Sequence, residues 1–377
     1  MNAFKKVLML HGSSDLYGAS KIFLESVLAL KQNDIEVLVV LSEDGPLVDL
    51  LTSKGINVQL FKLGILRRKY FNPSGLLNRI KAILKAKKKL EAIIATEGIT
   101  HLYSNTSAVL VGAFIKRSPK VIHIWHLHEI LLQPLWFVKA LGYLIRKKAD
   151  QVIVVSQAVK DHWQQYILPN KINLVYNGIP YEPYLTAKAA DLLIGKDKLL
   201  IGMIGRVNHW KGQDYFIDIA KELLRNNKSI HFILAGDAFP GTEHMVGDLI
   251  VRIDQENLSE NVTYLGFRND IPELLQCLDI FVLPSILPDP FPTVILEAMA
   301  AAKPVVATQH GGACEMVLDS ETGYLIPWDD VNASAKVIQR LIDNAEIRLE
   351  MGEKGRNRVL NTFSKEAFRQ NFLATIA

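Results

Sequence analysis

Two stretches of the chain combine residue types and spacings that can do chemistry. In Gly205-Arg206-Val207-Asn208-His209-Trp210-Lys211-Gly212, an arginine and a lysine stand between an apolar run and a helical pattern beginning near Gln213. Two fixed cations at a strand end, beside the unpaired N–H groups of a helix N-terminus, are what a diphosphate needs. In isolation, two solvated surface cations would look the same. In Pro284-Ser285-Ile286-Leu287-Pro288-Asp289-Pro290-Phe291-Pro292-Thr293-Val294-Ile295-Leu296-Glu297, a proline-rich loop carries Asp289 and the helical pattern after it carries Glu297. Carboxylates on either side of such a junction can face one crevice and accept hydrogen bonds from vicinal hydroxyls. The plainer role for Glu297 alone is to favour a helix N-terminal dipole.

The first half offers weaker signals. His11-Gly12-Ser13-Ser14-Asp15-Leu16-Tyr17-Gly18 lies between a strand pattern and a helical one, and its small residues let a ligand approach the backbone. It is not a full GxGxxG fingerprint, which disfavours a dinucleotide cofactor. His123, His126 and His128 lie in and just after an apolar run. Strand alternation puts His126 and His128 on one face and His123 on the other, an arrangement that does not suit a three-histidine metal site. Ser156 reads as the cap of a helix starting at Gln157.

The elements that must hold these residues are of α/β kind. Apolar runs at 6–10, 36–41, 58–63, 101–103, 121–125 and 151–155 read as strands, and the second half repeats the style at 199–205, 231–235, 263–265, 280–283, 304–307 and 324–326. Amphipathic helical patterns such as 19–32, 76–94, 213–225 and 333–344 separate them, which implies parallel sheets covered by helices on both faces. At 377 residues the chain is longer than one core usually fills. The polar segment 177–198 marks a boundary, giving residues 1–180 as one Rossmann-like domain, 181–362 as a second, and 363–377 as a helix crossing back to the first. The expected fold is α/β, two doubly wound domains facing across a cleft, with ligands at the carboxyl ends of the strands.

Charge and cysteine content narrow the classes. The net charge is only 43 − 39 = +4, yet residues 1–183 hold 24 Lys+Arg against 13 Asp+Glu while residues 184–377 hold 19 against 26. The two halves therefore face different partners. Two cysteines, Cys277 and Cys314, leave no disulfide framework or multi-cysteine metal site. The first apolar run is too short for a signal-peptide core, and no run of about 20 apolar residues is present to span a bilayer. The expected location is the cytoplasm.

In order along the chain, Gly205-Arg206…Lys211-Gly212, Leu265-Gly266-Phe267…Asp270-Ile271-Pro272, Leu283-Pro284-Ser285…Asp289-Pro290-Phe291…Leu296-Glu297-Ala298-Met299-Ala300, Pro304-Val305-Val306-Ala307…Gly311-Gly312…Glu315 and Thr322-Gly323-Tyr324-Leu325 closely resemble the family 4 retaining glycosyltransferases of GT-B fold. The likeness is specific over residues 199–330. The first half resembles the family more loosely, through the 12–18 loop, Trp125-His126-Leu127-His128-Glu129 and Val175-Tyr176-Asn177-Gly178-Ile179. The resemblance implies transfer of a hexose-type sugar from a nucleotide diphosphate donor. No Asp-x-Asp metal signature follows a strand, so no metal ion is expected, and no resident cofactor beyond the sugar-nucleotide co-substrate. It gives Arg206 and Lys211 the diphosphate and the departing nucleotide, Glu297 the ribose hydroxyls and Asp289 the transferred sugar. Backbone groups of Phe291, Pro292 and Thr293 would add sugar contacts, Phe267 and Arg268 would border the base, and Gly12 and Gly18 would complete the donor site. His128, or else His126, would line the cleft and join Arg206, Lys211 and Asp289 in catalysis. The family commonly has Glu where this chain has Asp289 and Gly where it has Pro292, so the sugar subsite departs by one methylene and one N–H. No side chain reads as a covalent nucleophile with a partnered base, and with the resemblance this points to front-face transfer.

The basic half adds a surface. Leu76, Leu77, Ile80, Ile83, Leu84, Leu90 and Ile94 recur at helical spacing and read as a core-facing stripe, with Lys81, Lys85, Lys87, Lys88 and Lys89 opposite and Arg67, Arg68 and Lys69 upstream. These cations suit an anionic membrane surface or a phosphorylated acceptor. Residues 130–145 add apolar bulk that can lie on a bilayer without spanning it. No motif that reads nucleic acid is present. The expected partners are a nucleotide-sugar donor, a glycan or lipid-linked acceptor and the inner face of the cell membrane, as in bacterial surface-polysaccharide or lipopolysaccharide assembly. A nucleotide-sugar epimerase of GT-B fold, or a non-catalytic nucleotide-sugar-binding protein, would use the same cleft.

Overall fold

Successive residues of the first strand, Lys6–His11 (β1), enter opposite faces of a sheet. Val7 and Met9 join one apolar cluster and Leu8 and Leu10 another, as the two-residue period of a strand requires. Burial on both faces is why this strand is a continuous apolar run. The computed structural model describes residues 5–16, 18–67, 70–192, 194–195, 197–225 and 227–376. The chain divides into two units, Met1–Gly178 with Lys365–Ala377, and Ile179–Ser364.

The first unit contains β1, Glu36–Leu41 (β2), Asn57–Leu60 (β3), His101–Asn105 (β4), Ile122–Leu127 (β5), Gln151–Val154 (β6) and Ile172–Leu174 (β7), all parallel in the order β3-β2-β1-β4-β5-β6-β7. The seventh strand has no counterpart in the sequence reading, because three residues with Asn173 at the centre make no period. Helix Gly18–Lys31 and the C-terminal helix Lys365–Ile376 cover one face, burying Phe23, Val27, Phe368 and Phe372. Arg369 Nε donates to Glu25 Oε2 across these helices at 2.9 Å.

Helix Pro73–Thr96 covers the other face, and it corrects one expectation. It buries only Ala86 and Leu90, with Ile83, Ile93 and Ile94 packed beside them. Leu77, Ile80 and Leu84 are each more than half exposed. The apolar residues form two stripes, about 110° apart at 3.6 residues per turn, and only the second faces the core.

The second unit contains Leu199–Ile204 (β8), Ile230–Ala235 (β9), Val262–Tyr264 (β10), Ile280–Leu283 (β11), Val305–Thr308 (β12) and Gly323–Ile326 (β13). They form a parallel sheet in the order β10-β9-β8-β11-β12-β13, with register such as Ile280 opposite Ile201. Both units are doubly wound Rossmann-like α/β folds. In each, the winding reverses beside the first strand, between β1 and β4 and between β8 and β11. Ligands of such sheets bind at the carboxyl ends of the strands at that reversal.

Candidate active site

In the second unit the loop after β8 carries Arg206 and Lys211 and the loop after β11 carries Asp289, so the two expected motifs flank the switch point. Several contacts lock the loops together. Gly212 has φ 83°, and a Cβ there would lie 1.9 Å from the Pro284 carbonyl oxygen, so only glycine fits. The Trp210 carbonyl accepts from Ile286 N–H at 2.8 Å. Asn208 Oδ1 accepts from the N–H groups of Trp210 and Lys211 at 3.1 and 3.0 Å, an Asx-type turn that aims Lys211. The Asp289 loop is gripped from β12, where Gly312 N–H donates to the Asp289 carbonyl at 2.8 Å.

These constraints bring Lys211 Nζ to 2.5 Å from Asp289 Oδ2, with both side chains largely buried. The Arg206 guanidinium lies over the Phe239 ring at 3.9 Å, a cation–π contact that keeps it beside the end of β9. Gln213 Nε2 donates to the Arg206 carbonyl at 2.9 Å.

Glu297 is the fifth residue of helix Thr293–Ala300, beyond the first turn where the dipole acts. It is hydrogen-bonded to the hydroxyl of Tyr184, whose pKa is driven up first by burial and then by the Glu297 carboxylate. Phe291 is buried edge-on against Phe363, Pro292 is buried as well, and Thr293 opens the helix. Phe267 is exposed after β10, while Arg268 is held in its own loop, with Nε donating to Asp270 Oδ1 at 2.8 Å and Nη2 to Oδ2. The Arg268 guanidinium in turn holds the Asp270 carboxyl below its ordinary range.

The sequence reading missed residues that frame these loops. Asn208 Nδ2, Gln213 Oε1 and Ser285 Oγ are buried and have no hydrogen-bond partner among the described residues. Buried polar atoms in this condition are rare and mark places that a ligand or water completes. Asn208 had a readable signal, an asparagine three residues before a candidate cation in a loop. Gln213 and Ser285 had none, because their proximity depends on β8 and β11 being neighbours.

The switch point of the first unit is a histidine and amide cluster. His11 ends β1, Asn105 ends β4, and His126 lies near the end of β5 with His128 just beyond it. Asn105 contacts His11 Nδ1 at 3.0 Å through Nδ2 and His128 Nε2 at 2.9 Å through Oδ1. The rings of His126 and His128 are 4.1 Å apart, so they share a face, but only His128 retains exposed surface. His126 is fully buried, with Nδ1 2.5 Å from the Tyr103 hydroxyl. Burial lowers the pKa of His11 to about 4 and of His126 to about 3. It lowers that of His128 well below the usual value, with help from His126 and His11. His123 points into the core against Ser104 Oγ and the Lys148 carbonyl. Among the described residues no three His, Cys, Asp or Glu side chains group to hold a metal ion.

Glu129 accepts from Ser107 N–H and His128 N–H at 3.1 Å, and burial pushes its carboxyl pKa up. A Cβ on Gly12 would meet Ile65 Cδ1 at 2.8 Å, so that glycine serves packing within its own unit. Gly18 opens a helix and has nothing within 4 Å of a Cβ. Ser156 caps helix Gln157–Trp163 by accepting from Val159 N–H at 3.1 Å.

Lys81, Lys85 and Lys88 are exposed on helix Pro73–Thr96, beside the outer stripe of Leu77, Ile80 and Leu84. Phe71 packs edge-on against Trp136 and Phe137, joining that helix to Leu135–Lys148, where Leu135, Trp136 and Tyr143 are exposed. Arg67 is exposed and pairs with Glu43 at 3.4 Å; Arg68 and Lys69 lie outside the described residues. No helix among the described residues is long and apolar enough to cross a membrane.

Residues 17–182 match the model of Glycosyltransferase Family 4, and residues 186–358 match that of Glycosyl transferases group 1. The UDP-Gal:alpha-D-GlcNAc-diphosphoundecaprenol alpha-1,3-galactosyltransferase of Escherichia coli is 25% identical over 366 residues, covering 93% of this chain and 90% of the relative. The lipopolysaccharide core biosynthesis mannosyltransferase LpsB of Rhizobium meliloti is 30% identical over 231 residues, 59% of this chain and 64% of the relative. The crystal structure of Anabaena Alr3699/HepE in complex with UDP and glucose superposes with a TM-score of 0.82 at 27% identity, covering 99% of both chains. With the two halves matched in turn and the motif residues gathered at a switch point, the chain belongs to the family 4 glycosyltransferases of GT-B fold.

Proposed function

We propose that the protein moves a hexose-type sugar from a nucleoside diphosphate donor to a glycan or lipid-linked acceptor, with retention at the anomeric carbon and without a metal ion. The observation that carries this reading is the placement of Lys211 and Asp289 in contact across the switch point, with Arg206 on the same loop as Lys211. Cleavage of the anomeric C–O bond sends its electron pair to the β-phosphate and leaves an oxocarbenium-like sugar. Arg206 and Lys211 stabilise the charge that grows on that phosphate, and so act more strongly on the transition state than on the ground state. The acceptor oxygen bonds the anomeric carbon on the face the phosphate leaves, and its proton passes to the phosphate oxygen. Asp289 holds the sugar, Glu297 takes the ribose hydroxyls with Tyr184 fixing its carboxylate, and Phe267 borders the base.

The acceptor and location rest on the surface of the first unit. An exposed apolar stripe flanked by lysines suits the interface of an anionic bilayer, on the cytoplasmic side where nucleotide sugars are used. The galactosyltransferase relative is named for a UDP-linked donor and a diphosphoundecaprenol-linked acceptor, and Alr3699/HepE was crystallised with UDP and glucose, so UDP-hexoses are the first donors to test. The experiment is transfer of labelled hexose to lipid-linked acceptors in the presence and absence of a chelator. Labelled glycolipid with the donor's anomeric configuration, undiminished by the chelator, is expected. Release of free epimerised nucleotide sugar, or binding with no turnover on any acceptor, contradicts the reading.

A further inference from the structure

We propose that Asn105 fixes His128 as the Nε2–H tautomer, so that His128 offers the Nδ1 lone pair to a hydroxyl of the bound substrate at the carboxyl end of β5. This deepens the glycosyltransferase reading and rests on it for the identity of the ligand. Asn105 Nδ2 lies 3.0 Å from His11 Nδ1 and 3.4 Å from the Ala19 carbonyl oxygen. A carbonyl can only accept, so the amide nitrogen must face that side and the amide oxygen must face His128. The oxygen carries no proton, hence the 2.9 Å bond between them has its proton on His128 Nε2.

The same logic runs back along the chain of bonds. Asn105 donates to His11 Nδ1, which puts the His11 proton on Nε2, where it is donated to Ser20 Oγ at 3.0 Å. Ser20 Oγ then donates to Asp15 Oδ1 at 2.8 Å, and Ser13 Oγ holds Asp15 Oδ2 at 2.7 Å. One carboxylate in the opening loop thus sets the direction of four hydrogen bonds that end on His128. The opening loop, which the sequence reading valued for its glycines, contributes through Asp15 instead. Burial keeps His11, His126 and His128 neutral, so one tautomer can persist. The His126 ring packs at a tilt against His128 while its own Nδ1 is taken by Tyr103, so it supports the ring. With Nε2–H engaged, His128 accepts a hydrogen bond from a sugar or acceptor hydroxyl and does not protonate a leaving oxygen. Asn105 and Asp15 are positioning residues.

The test is nitrogen-15 NMR of the imidazole rings in the full chain, with His128 assigned by its loss in His128→Asn. A protonated Nε2 and a bare Nδ1 are expected; a proton on Nδ1, or two tautomers in similar amounts, overturns the proposal. In Asn105→Asp, a carboxylate replaces the amide beside Nε2–H and favours the imidazolium. His126 and Glu129, which also face His128, are unchanged, whereas His11 loses the Asn105 donor and gains the same carboxylate, so His128 is followed through its own assigned resonances. The His128 pKa then rises by about one unit or more, and the acid limb of the activity profile moves to higher pH by the same amount. An unmoved imidazole titration in the folded variant contradicts the placement of Asn105. His128→Asn, which keeps an oxygen acceptor near the Nδ1 position, should hold its KM severalfold lower than His128→Gln; equal losses argue against Nδ1 as the contact. The spectrum needs no turnover, so the expected tautomer without sugar transfer removes the functional reading alone, and sugar transfer with the other tautomer removes this proposal alone.

Discussion

Lys211 Nζ and Asp289 Oδ2 lie 2.5 Å apart, although the two residues are 78 positions apart in sequence. The cation assigned to the diphosphate and the carboxylate assigned to the sugar are therefore each other's partners. A diphosphate arriving at the end of β8 competes with Asp289 for the ammonium. Removing the carboxylate charge should then separate two functions that a simple loss of structure would reduce together.

Asp289→Asn is expected to bind UDP about fivefold more tightly, the scale of a partly screened ion pair, while turnover of the UDP-sugar falls. Calorimetry and initial rates on one preparation check both signs. Parallel loss of UDP affinity and turnover contradicts the competition.

Gly212→Ala places a methyl group into the Pro284 carbonyl at a left-handed backbone position. The backbone term alone costs about 1–2 kcal/mol, and relief of the clash must move the loop that aims Lys211. The expected result is a Tm lower by several degrees and UDP binding weakened by about tenfold or more. Gly18→Ala, which meets open space, should not lower Tm. A Gly212→Ala protein with wild-type Tm and affinity refutes the interlock.

The buried histidines make the first unit acid-sensitive. His11 and His123 have pKa values near 4 and His126 near 3, each lowered from 6.5 by burial. An unfolded chain protonates all three as pH falls through 6.5, and the folded chain does not. The unfolded state therefore binds more protons, and stability is lost from about pH 6.5 down to about pH 4. The slope approaches roughly 4 kcal/mol per pH unit near pH 5, less a part returned by Glu129, whose raised pKa works in the opposite sense. Urea unfolding of the first unit at pH 7, 6 and 5 measures this slope, and His123→Gln should reduce it by about one proton. An unfolding midpoint unchanged between pH 7 and 5 contradicts it.

The exposed face of helix Pro73–Thr96 should bind vesicles containing anionic lipid and release them in high salt. Replacing Lys81, Lys85 and Lys88 with glutamine should weaken sedimentation with such vesicles by roughly 100-fold, at about 1 kcal/mol per cation. Equal binding to neutral vesicles, or a triple variant that binds like the wild type, counts against a membrane surface.

Much of this was legible before any coordinates. Twelve strands were marked by apolar runs, because most of these parallel strands are buried on both faces and stay largely apolar. Arg206, Lys211 and Asp289 could be singled out because each lies in the loop that follows such a run. The outer stripe of Leu77, Ile80 and Leu84 on helix Pro73–Thr96 was misassigned to the core, since periodicity reports that residues share a face and not what that face meets. Tyr184 beside Glu297 and Asn105 between His11 and His128 were invisible, because both contacts join segments far apart in sequence, the first through helix packing and the second through the sheet order. Gln213 and Ser285 were missed for the same reason.

The most direct test compares UDP with uridine by calorimetry in the wild type, Arg206→Ala and Lys211→Ala. The account predicts that each substitution weakens UDP by about tenfold or more and leaves uridine, which lacks the phosphates, within twofold. Equal weakening of both ligands, or UDP bound by both variants as tightly as by the wild type, contradicts the claim that these two cations hold the diphosphate.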